Sequence, residues 1–464
     1  MLQNADTIGV FQVESRAQMA TLPRLKPACF YDLVVEVAII RPGPIVGQMV
    51  HPYLNRRAGR EPVRYPHPSL EPILARTLGV PLFQEQLLRI AMVAAGFTGG
   101  QAEDLRRAFG FKRSERRMAQ IEVQLREGMA RRGITGEAAD QIIKSITSFA
   151  LYGFPESHAA SFALLAYASA YLKAHYPAAF YTALLNNQPM GFYHPATLVK
   201  DAQRHGLKVR PIDAAQSGWP CTLETAAGEP CLRLGLSYVK GLRARAGEAL
   251  AAERARGPFA DIDELARRVP ELRKDELRRL AEIGALNSLG AGDRRDALWQ
   301  VERAARRAGP LLDKLPEAAV VSPLARMTDD ERLVADYRGT ELTIGRHPLA
   351  FRRAELDRRR VVRAVDLGSL PAGRAVRVAG QVICRQRPGT AKGFLFLSLE
   401  DETGVANAIV TPQLFERYRA VLVGEPYLLV EGRLQNQDGV VSVKVQRVRA
   451  LAGAEVGAGS HDFH

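Results

Sequence analysis

Residues 149–177 read FALYGFPESHAASFALLAYASAYLKAHYP, and this stretch decides how the chain is organised. Its first part is a turn, in which Gly153 and Pro155 end one helix and prepare the next. The run Ala159–Tyr171 is almost wholly apolar, so we expect a helix that is buried on every side. Lys173 interrupts the run after about 13 residues, which is short of the roughly 20 that a bilayer requires. The stretch therefore predicts a central core helix and not a membrane span.

Ser157 and His158 lie where the turn meets this helix. A turn in front of a buried helix holds a side chain rigidly, so an imidazole at this position can face a ligand. The alternative interpretation is that the two side chains only cap the helix.

The charge of the chain predicts a polyanionic partner. Its 464 residues include 64 Lys and Arg against 50 Asp and Glu, which gives a formal net charge of +14. A soluble protein this basic usually meets nucleic acid. Arginine dominates the basic residues, and its guanidinium suits phosphate contacts better than a lysine-rich surface does.

The spacing of the four cysteines argues against a zinc site and against a disulfide framework. They lie far apart in the sequence and form no Cys-x-x-Cys pair, at Cys29, Cys221, Cys231 and Cys384. We therefore expect neither a zinc site nor a disulfide framework, and the chain is predicted to be reduced and cytoplasmic. No basic segment followed by an apolar core opens the sequence, so we expect no signal peptide and no membrane association.

Two basic features in the first half of the chain are candidate phosphate contacts. Arg106 and Arg107 are bracketed by Leu105 and Phe109, which places at least one guanidinium beside the apolar stripe of its helix. Arg41 opens the stiff loop Arg-Pro-Gly-Pro. Its alternative role is to bind the carbonyl groups at the end of the preceding helix.

A repeated pattern in the middle of the chain predicts paired helix-hairpin-helix motifs. Residues 234–242 and 277–286 each combine helix, glycine-centred turn and apolar residue. The turn residues Lys240, Gly241 and Gly284 are candidate DNA contacts, because turn amides bind phosphates as helix N-termini do. Each glycine alone is also compatible with a simple helix C-cap.

The last third of the chain changes from helical to strand periodicity. Five alternating segments, with a short helix at Gln413–Tyr418 between the third and the fourth, predict an OB barrel. Such barrels bind single strands on basic, aromatic grooves, which makes Arg385, Arg387 and Phe394 candidate DNA contacts. The alternative is that Phe394 and Phe396 fill the barrel core.

Several motifs together resemble one family, the bacterial C-family DNA polymerases of which the DNA polymerase III alpha subunit is the replicative member. They occur in that family's order: GVFQVES at 9–15, RPGP at 41–44, LRRA at 105–108, YGF with Ser157-His158 at 152–158, and LKAHYP at 172–177. QPMGFY at 188–193 and the terminal Asp462-Phe463-His464 resemble the error-prone, damage-inducible branch, the ImuC type.

The resemblance implies a mainly α, multidomain chain that starts at the polymerase fingers. The expected regions are fingers (1–215), a tandem helix-hairpin-helix region (216–309), a helical linker (310–360), an OB fold (361–452) and a flexible tail (453–464). Arg106 and Arg107 match the fingers arginines that face the incoming triphosphate, and Ser157 with His158 matches the turn near the nascent base pair. Arg41 is a candidate for the same pocket.

The resemblance also implies what lies outside this sequence. The family's palm holds Mg²⁺ through aspartates, and no Asp-x-Asp motif precedes Gly9. We therefore expect no catalytic residue and no metal ligand in this chain, which is predicted to be inactive alone.

The function implied is damage-induced translesion synthesis as part of an error-prone DNA polymerase, with primer–template DNA and deoxynucleoside triphosphate as ligands. No clamp-binding peptide is recognisable between Pro310 and Pro348, so the sliding clamp is expected to be reached through an ImuB-type Y-family partner. The alternative is a non-catalytic DNA-binding or scaffold protein that retains the helix-hairpin-helix and OB modules. A DNA ligase is excluded, because no lysine begins a Lys-x-Asp-Gly motif.

Overall fold

The chain divides into two compact units, and each is described by itself. The computed structural model describes residues 1–40, 46–109, 115–149, 154–304, 322–451, 457 and 459–463. The first unit comprises Met1–Tyr171 with Asp438–Val440, and the second comprises Leu172–Gln437 with Val441–His464.

The first unit is built from helices. They are α1 (Arg16–Leu25), α2 (Phe30–Ile39), α3 (Val46–Arg57), α4 (Glu71–Leu74), α5 (Gln84–Ala95), α6 (Gly99–Phe109), α7 (Glu115–Arg131), α8 (Gly136–Phe149) and α9 (Glu156–His175), whose last turn is assigned to the second unit. Ser15 caps α1, because its hydroxyl accepts the amide of Gln18. Gly96, at φ 74°, ends α5 in the left-handed region that glycine favours.

Among the apolar clusters in the described part of the first unit, two involve α5 or the segment before it. One joins α5 to α8 and includes Leu87, Leu105, Met129 and Ile146, none of them more than 1% exposed. The other joins α2 to the start of α9 and includes Phe83, which is fully buried. Burying a side chain of this size stabilises the fold by roughly 1.5–3 kcal/mol, so α5 and the segment before it anchor both clusters.

The prediction that the helix at 159–171 is buried on every side is wrong. Its buried face carries small residues: Ala159, Ala163, Ala166 and Ala170. The opposite face carries large ones that are exposed by 59%, 52%, 49% and 47%: Leu164, Leu165, Tyr167 and Tyr171. Alanine lets the α9 backbone approach its neighbours closely, and the large side chains then point away. A uniformly apolar run does not reveal this choice, because either face satisfies the pattern.

None of the described helices combines the length and the apolar character that crossing a membrane requires.

The second unit continues with helices and a small sheet. The helices are α10 (Pro177–Asn186), α11 (Pro195–Arg204), α12 (Ala244–Arg256), α13 (Ile262–Arg268), α14 (Lys274–Glu282), α15 (Arg294–Ala304), α16 (Asp329–Thr340), α17 (Pro348–Phe351) and α18 (Arg353–Arg358). The strands β1 (Val209–Arg210), β2 (Thr222–Ala226) and β3 (Glu229–Arg233) form the sheet, in which β3 pairs antiparallel with β2 and parallel with β1. Ala227 and Gly228, both at positive φ, form the turn between β2 and β3.

A closed barrel ends the second unit. Its strands are β4 (Ala375–Gln386), β5 (Leu395–Glu400), β6 (Val405–Val410), β7 (Tyr427–Gln437) and β8 (Val440–Ala450), and α19 (Pro412–Gly424) lies between β6 and β7. The strand order β5-β6-β8-β7-β4 closes through the additional β4–β5 pairing. Inward residues such as Leu397, Val430 and Val443 are fully buried. The predicted mainly α chain with a helix-hairpin-helix region and a C-terminal OB barrel is confirmed.

Part of the expected flexible tail is ordered. Residues His461–Phe463 form a short strand, β9, which pairs parallel with residues 384–386 of β4. Asp462 lies opposite Arg385 in this pairing, and the two side chains contact each other at 3.4 Å. This ion pair connects residues so far apart in sequence that a local pattern did not show it.

Candidate nucleotide and nucleic-acid interfaces

The paired arginines of α6 share one carboxylate. Arg106 donates to Glu103 from Nε to Oε2 (2.8 Å) and from Nη2 to Oε1 (2.7 Å), and Arg107 Nε donates to the same Oε1 at 3.3 Å. Glu103 lies three and four residues before them, so both guanidinium groups reach it from one helix turn. The hydrogen bond from Arg106 is the main reason that the pKa of Glu103 falls to about 2.

Both arginines remain accessible to a ligand. The exposed fraction of the side chain is 49% for Arg106 and 68% for Arg107. With Glu103 ionised, the three side chains together carry one net positive charge, and an arriving anion competes with Glu103 for both guanidinium groups. The sequence interpretation missed Glu103, although its spacing of three and four residues was a usable signal.

The start of α9 is fixed by the start of α5. The backbone amide of Gln84 donates to the carbonyl of Phe154 at 3.0 Å, and the amide of Glu156 donates to the Glu85 carboxylate at 2.9 Å. Glu85 therefore satisfies an amide at the beginning of α9. The capping role considered for Ser157 and His158 falls to this more distant residue.

Ser157 and His158 lie in the first turn of α9, and both are exposed. The imidazole of His158 lies between two aromatic rings, with centroid distances of 5.1 Å to Phe154 and 4.1 Å to Phe162. The carbonyl of Ser157 accepts a hydrogen bond from the Ser161 hydroxyl at 2.9 Å. The histidine is thus held by flanking rings while one side of it faces solvent.

The carboxylate next to these residues is already engaged. Tyr31 donates from its hydroxyl to Glu156 Oε1 at 2.9 Å, and the guanidinium of Arg76 lies 3.6 Å from the centre of the Tyr31 ring. Burial, and then the hydrogen bond with Glu156, raise the pKa of Tyr31. Tyr31 therefore stays protonated and keeps Glu156 in place.

The α6 arginines and the α9 turn make their hydrogen bonds with different partners. In the described parts of the first unit, no hydrogen bond or ion pair joins Arg106 or Arg107 to Ser157 or His158. Arg41 lies outside the described residues. Whether all five bind one nucleotide stays a prediction.

The first glycine turn of the second unit lies against α16. The amide of Lys240 donates to the carbonyl of Gly339 at 2.7 Å, and its ammonium pairs with Glu341. This pairing lowers the pKa of Glu341. Gly241 follows at φ 78°, with open space where a side chain would be. A phosphate at this turn therefore finds accessible backbone, but it competes with Glu341 for Lys240.

The second glycine turn is more enclosed. Gly284 has a φ of 83°, and a Cβ there would lie 2.9 Å from Arg294 Nε. An ion pair that the sequence interpretation missed links the starts of α12 and α14, because Arg243 Nη2 donates to Glu276 Oε2 at 2.8 Å. Burial raises the pKa of Glu276, but the hydrogen bonds from Arg243 and from backbone amides outweigh it and bring the pKa to about 2.

Arg385 is a positioning residue in this structure. Its side chain is buried, and it donates from Nε to the carbonyl of Leu422 and from Nη2 to the carbonyl of Glu425, both at 2.7 Å. These bonds hold β4 against the end of α19. The predicted DNA contact does not fit a guanidinium whose donors are taken up by the protein.

Arg387 and Phe394 lie in and beside the loop between β4 and β5, and both are half-buried. The guanidinium of Arg387 lies 4.0 Å from the centre of the Phe415 ring, and its Nη2 lies 3.6 Å from Glu416. Phe396, on β5, is likewise half-buried. The phenylalanines thus neither fill the barrel core completely nor stand free on its surface, and their contact with DNA stays a prediction.

Three parts of the chain match known domain families, in the order expected from the fold. Residues 1–133 match the bacterial DNA polymerase III alpha subunit finger domain. Residues 206–297 match a helix-hairpin-helix motif, and residues 376–451 match an OB-fold nucleic acid binding domain.

The full chain also aligns with curated proteins. It is 54% identical over 475 residues to an error-prone DNA polymerase of Anaeromyxobacter dehalogenans (strain 2CP-1 / ATCC BAA-258), covering 100% of this chain and 41% of that protein. The chain is similar to error-prone DNA polymerases. The same name applies to a relative from Alkalilimnicola ehrlichii, at 50% identity over 100% of this chain and 45% of the relative. Error-prone DNA polymerase 2 of Agrobacterium fabrum is 46% identical over 100% of this chain and 44% of its own length.

The chain thus spans less than half the length of these polymerases. Among solved structures, asparaginyl-tRNA synthetase from Pyrococcus horikoshii is 25% identical over 19% of this chain and 21% of its own, with a TM-score of 0.16. That likeness is too weak to compare the folds.

Proposed function

We propose that this chain forms the finger, helix-hairpin-helix and OB portion of an error-prone DNA polymerase that carries out damage-induced translesion synthesis. One observation carries the proposal: relatives of that name align with the chain from end to end at 46–54% identity. In this role the chain contributes the binding of primer–template DNA and of the incoming deoxynucleoside triphosphate.

Each group of candidate residues has a part in this proposal. Arg106 and Arg107 bind the triphosphate, because they are accessible guanidinium groups that an anion can take over from Glu103. His158 and Ser157 present an exposed, ring-supported surface to the nascent base pair. Arg41 supports the same nucleotide. Lys240, Gly241, Gly284, Arg387 and Phe394 contact DNA.

The Mg²⁺ ions of templated nucleotidyl transfer do not fit the residues beside these candidates. Three of the carboxylates beside them, Glu103, Glu85 and Glu156, are bound to arginines, a backbone amide and a tyrosine hydroxyl, respectively. A two-metal site needs carboxylates that are free to bind ions. We therefore propose that the metal ligands of the complete polymerase lie outside this chain. We also propose that a Y-family partner of the ImuB type connects the chain to the sliding clamp.

The test uses the 464-residue chain with a labelled primer–template. A basic protein gains affinity for DNA by releasing counterions, and added salt opposes this release. We therefore expect the dissociation constant to rise at least about tenfold between 50 and 200 mM salt. The same purified chain is expected not to extend the primer when Mg²⁺ and nucleotides are added. Affinity that stays flat with salt, or extension by protein free of contaminating polymerase, contradicts the proposal.

A further inference from the structure

The barrel carries an arginine-lined groove on the side formed by its first, fourth and fifth strands. Two adjoining concavities of about 420 and 440 Å³ make up this groove, and both are lined by Arg377 and Glu431. Strands β4, β7 and β8 and the segment around α18 supply the lining. OB barrels commonly bind nucleic acid over their second and third strands, which are β5 and β6 here, so this groove is a different surface.

The groove has a large excess of positive charge. Seven arginines and two glutamates line it: Arg352, Arg359, Arg360, Arg374, Arg377, Arg447 and Arg449, with Glu355 and Glu431. Glu355 contacts Arg352 at 2.8 Å and Arg359 at 3.3 Å, and Glu431 contacts Arg377 at 3.3 Å across the β4–β7 pairing. The carboxylates are therefore already engaged with three of the arginines.

The remaining four arginines have no polar partner among the described residues. In the described part of the barrel and its flanking segment, the guanidinium groups of Arg360, Arg374, Arg447 and Arg449 make no hydrogen bond or ion pair, and all four are exposed. Like charges gathered in one concavity repel one another, and an anion bound among them relieves this repulsion.

One of these arginines is held in an unusual backbone conformation. Arg360 follows the end of α18 at a φ of 57°, where its amide donates to the carbonyl of Asp357 at 2.9 Å. The left-handed region costs a residue with a Cβ roughly 1–2 kcal/mol, and glycine is the residue that usually occupies this position after a helix.

We propose that this groove binds the phosphodiester backbone of DNA through Arg360, Arg374, Arg447 and Arg449. Guanidinium groups match phosphate oxygens in charge and in fork geometry. None of the described lining residues is aromatic, so the groove offers no base stacking and binds DNA independently of sequence. The inference rests on the proposed function, because DNA binding by the chain is its premise.

The experiment compares two double variants of the 464-residue chain, Arg447→Gln/Arg449→Gln and Arg360→Gln/Arg374→Gln. Binding of labelled single-stranded and duplex DNA is measured between 50 and 200 mM salt. Each variant removes two phosphate contacts, so the slope of log K against log salt should become shallower by about 1.4 on single strands or about 1.8 on duplex. Affinity at 100 mM salt should weaken about three- to tenfold.

The matched control removes the same charge from arginines that already have a carboxylate. Arg256 contacts Glu253 at 3.0 Å and Arg332 contacts Asp329, so Arg256→Gln/Arg332→Gln should change the slope by less than about 0.5. A third variant, Glu431→Gln, frees Arg377 and should tighten DNA binding about twofold.

The outcomes separate the groove from the function on which it rests. Shallower slopes in the groove variants, with the control near the unmodified chain, support the inference. Groove variants that match the control on both DNA forms, with strong binding retained, overturn the groove proposal alone. An unmodified chain that does not bind DNA overturns the groove and the proposed function together.

Discussion

Folded proteins usually bury apolar side chains and expose polar ones. The outer face of α9 departs from this rule by exposing apolar side chains, and the interior of the second unit departs from it by burying polar ones. α9 exposes Leu164 and Leu165 by more than half, whereas the second unit buries Glu400 at 2% exposure and His347 at 5%. Arg204 contacts Glu400, and the amide of Leu349 donates to His347 Nδ1 at 3.2 Å, whereas His347 Nε2 is buried with no hydrogen-bond partner among the described residues. The difference shows that burial in this chain does not follow side-chain polarity alone, and that the apolar face of α9 adds little to the stability of this chain.

The largest expected effect contrasts two leucines. Leu397 is fully buried in the barrel, so Leu397→Ala should destabilise it by about 2–5 kcal/mol through lost burial and a cavity. Leu164→Ala should change the stability of α9 by less than about 0.5 kcal/mol, because that side chain is already 59% exposed.

Hydrogen exchange read by mass spectrometry measures these two effects separately, because it reports local protection in β5 and in α9. If Leu164→Ala lowers protection in α9 as much as Leu397→Ala lowers it in the barrel, the outer face of α9 is packed in solution. The contrast between the two regions would then disappear.

The second effect concerns the protonation of His347. Burial first, and then the nearby Lys200, Arg204 and Arg353, lower its pKa to about 3. An unfolded histidine has a pKa of about 6.5, so the folded state binds fewer protons between these values. The stability that neutral His347 contributes is present above about pH 6.5 and is lost as the pH falls below it. Because asparagine does not titrate, the stability of the unmodified chain relative to His347→Asn should fall by about 2 kcal/mol from pH 7 to pH 5.

Urea unfolding followed by tryptophan fluorescence measures this difference, because Trp219 and Trp299 both lie in the second unit. His194→Asn is the matched control. His194 also precedes a proline and accepts the amide two residues on, but its side chain is 24% exposed and lies 3.7 Å from Glu341. No comparable loss at low pH is expected for it. A pH-independent difference for His347→Asn would mean that the buried imidazole is protonated without cost.

Local sequence patterns predicted which residues form helices and strands better than they predicted which faces of these elements are buried. The alternating segments became the strands of the barrel, and the short helix predicted at Gln413–Tyr418 lies within α19. Periodicity and turn residues carry this information, because they depend on neighbours in the sequence. The buried face of α9 was not predictable in this way, since alanine and leucine are equally apolar.

Charged side chains show the same limit. Glu103 could have been anticipated as the partner of Arg106 from its spacing on α6. The burial of Arg385 could not, because the carbonyl groups that accept its hydrogen bonds lie 37 and 40 residues away. Tertiary contacts decide which arginine is free to bind a ligand. For the candidate site, these contacts came from the structure and not from the sequence.

The most direct test of the proposed role is Arg106→Ala in a full-length error-prone polymerase that contains this segment, with Arg126→Ala as control. Both arginines are about half exposed and bind carboxylates, Arg106 that of Glu103 and Arg126 those of Glu122 and Asp140. Losing a charge-assisted contact worth about 1.5–3 kcal/mol should lower kcat/KM for the nucleotide about 10- to 100-fold, while the dissociation constant for primer–template DNA stays within about twofold and the control changes neither. Equal losses in nucleotide use and DNA affinity would assign Arg106 to the DNA backbone and contradict the account.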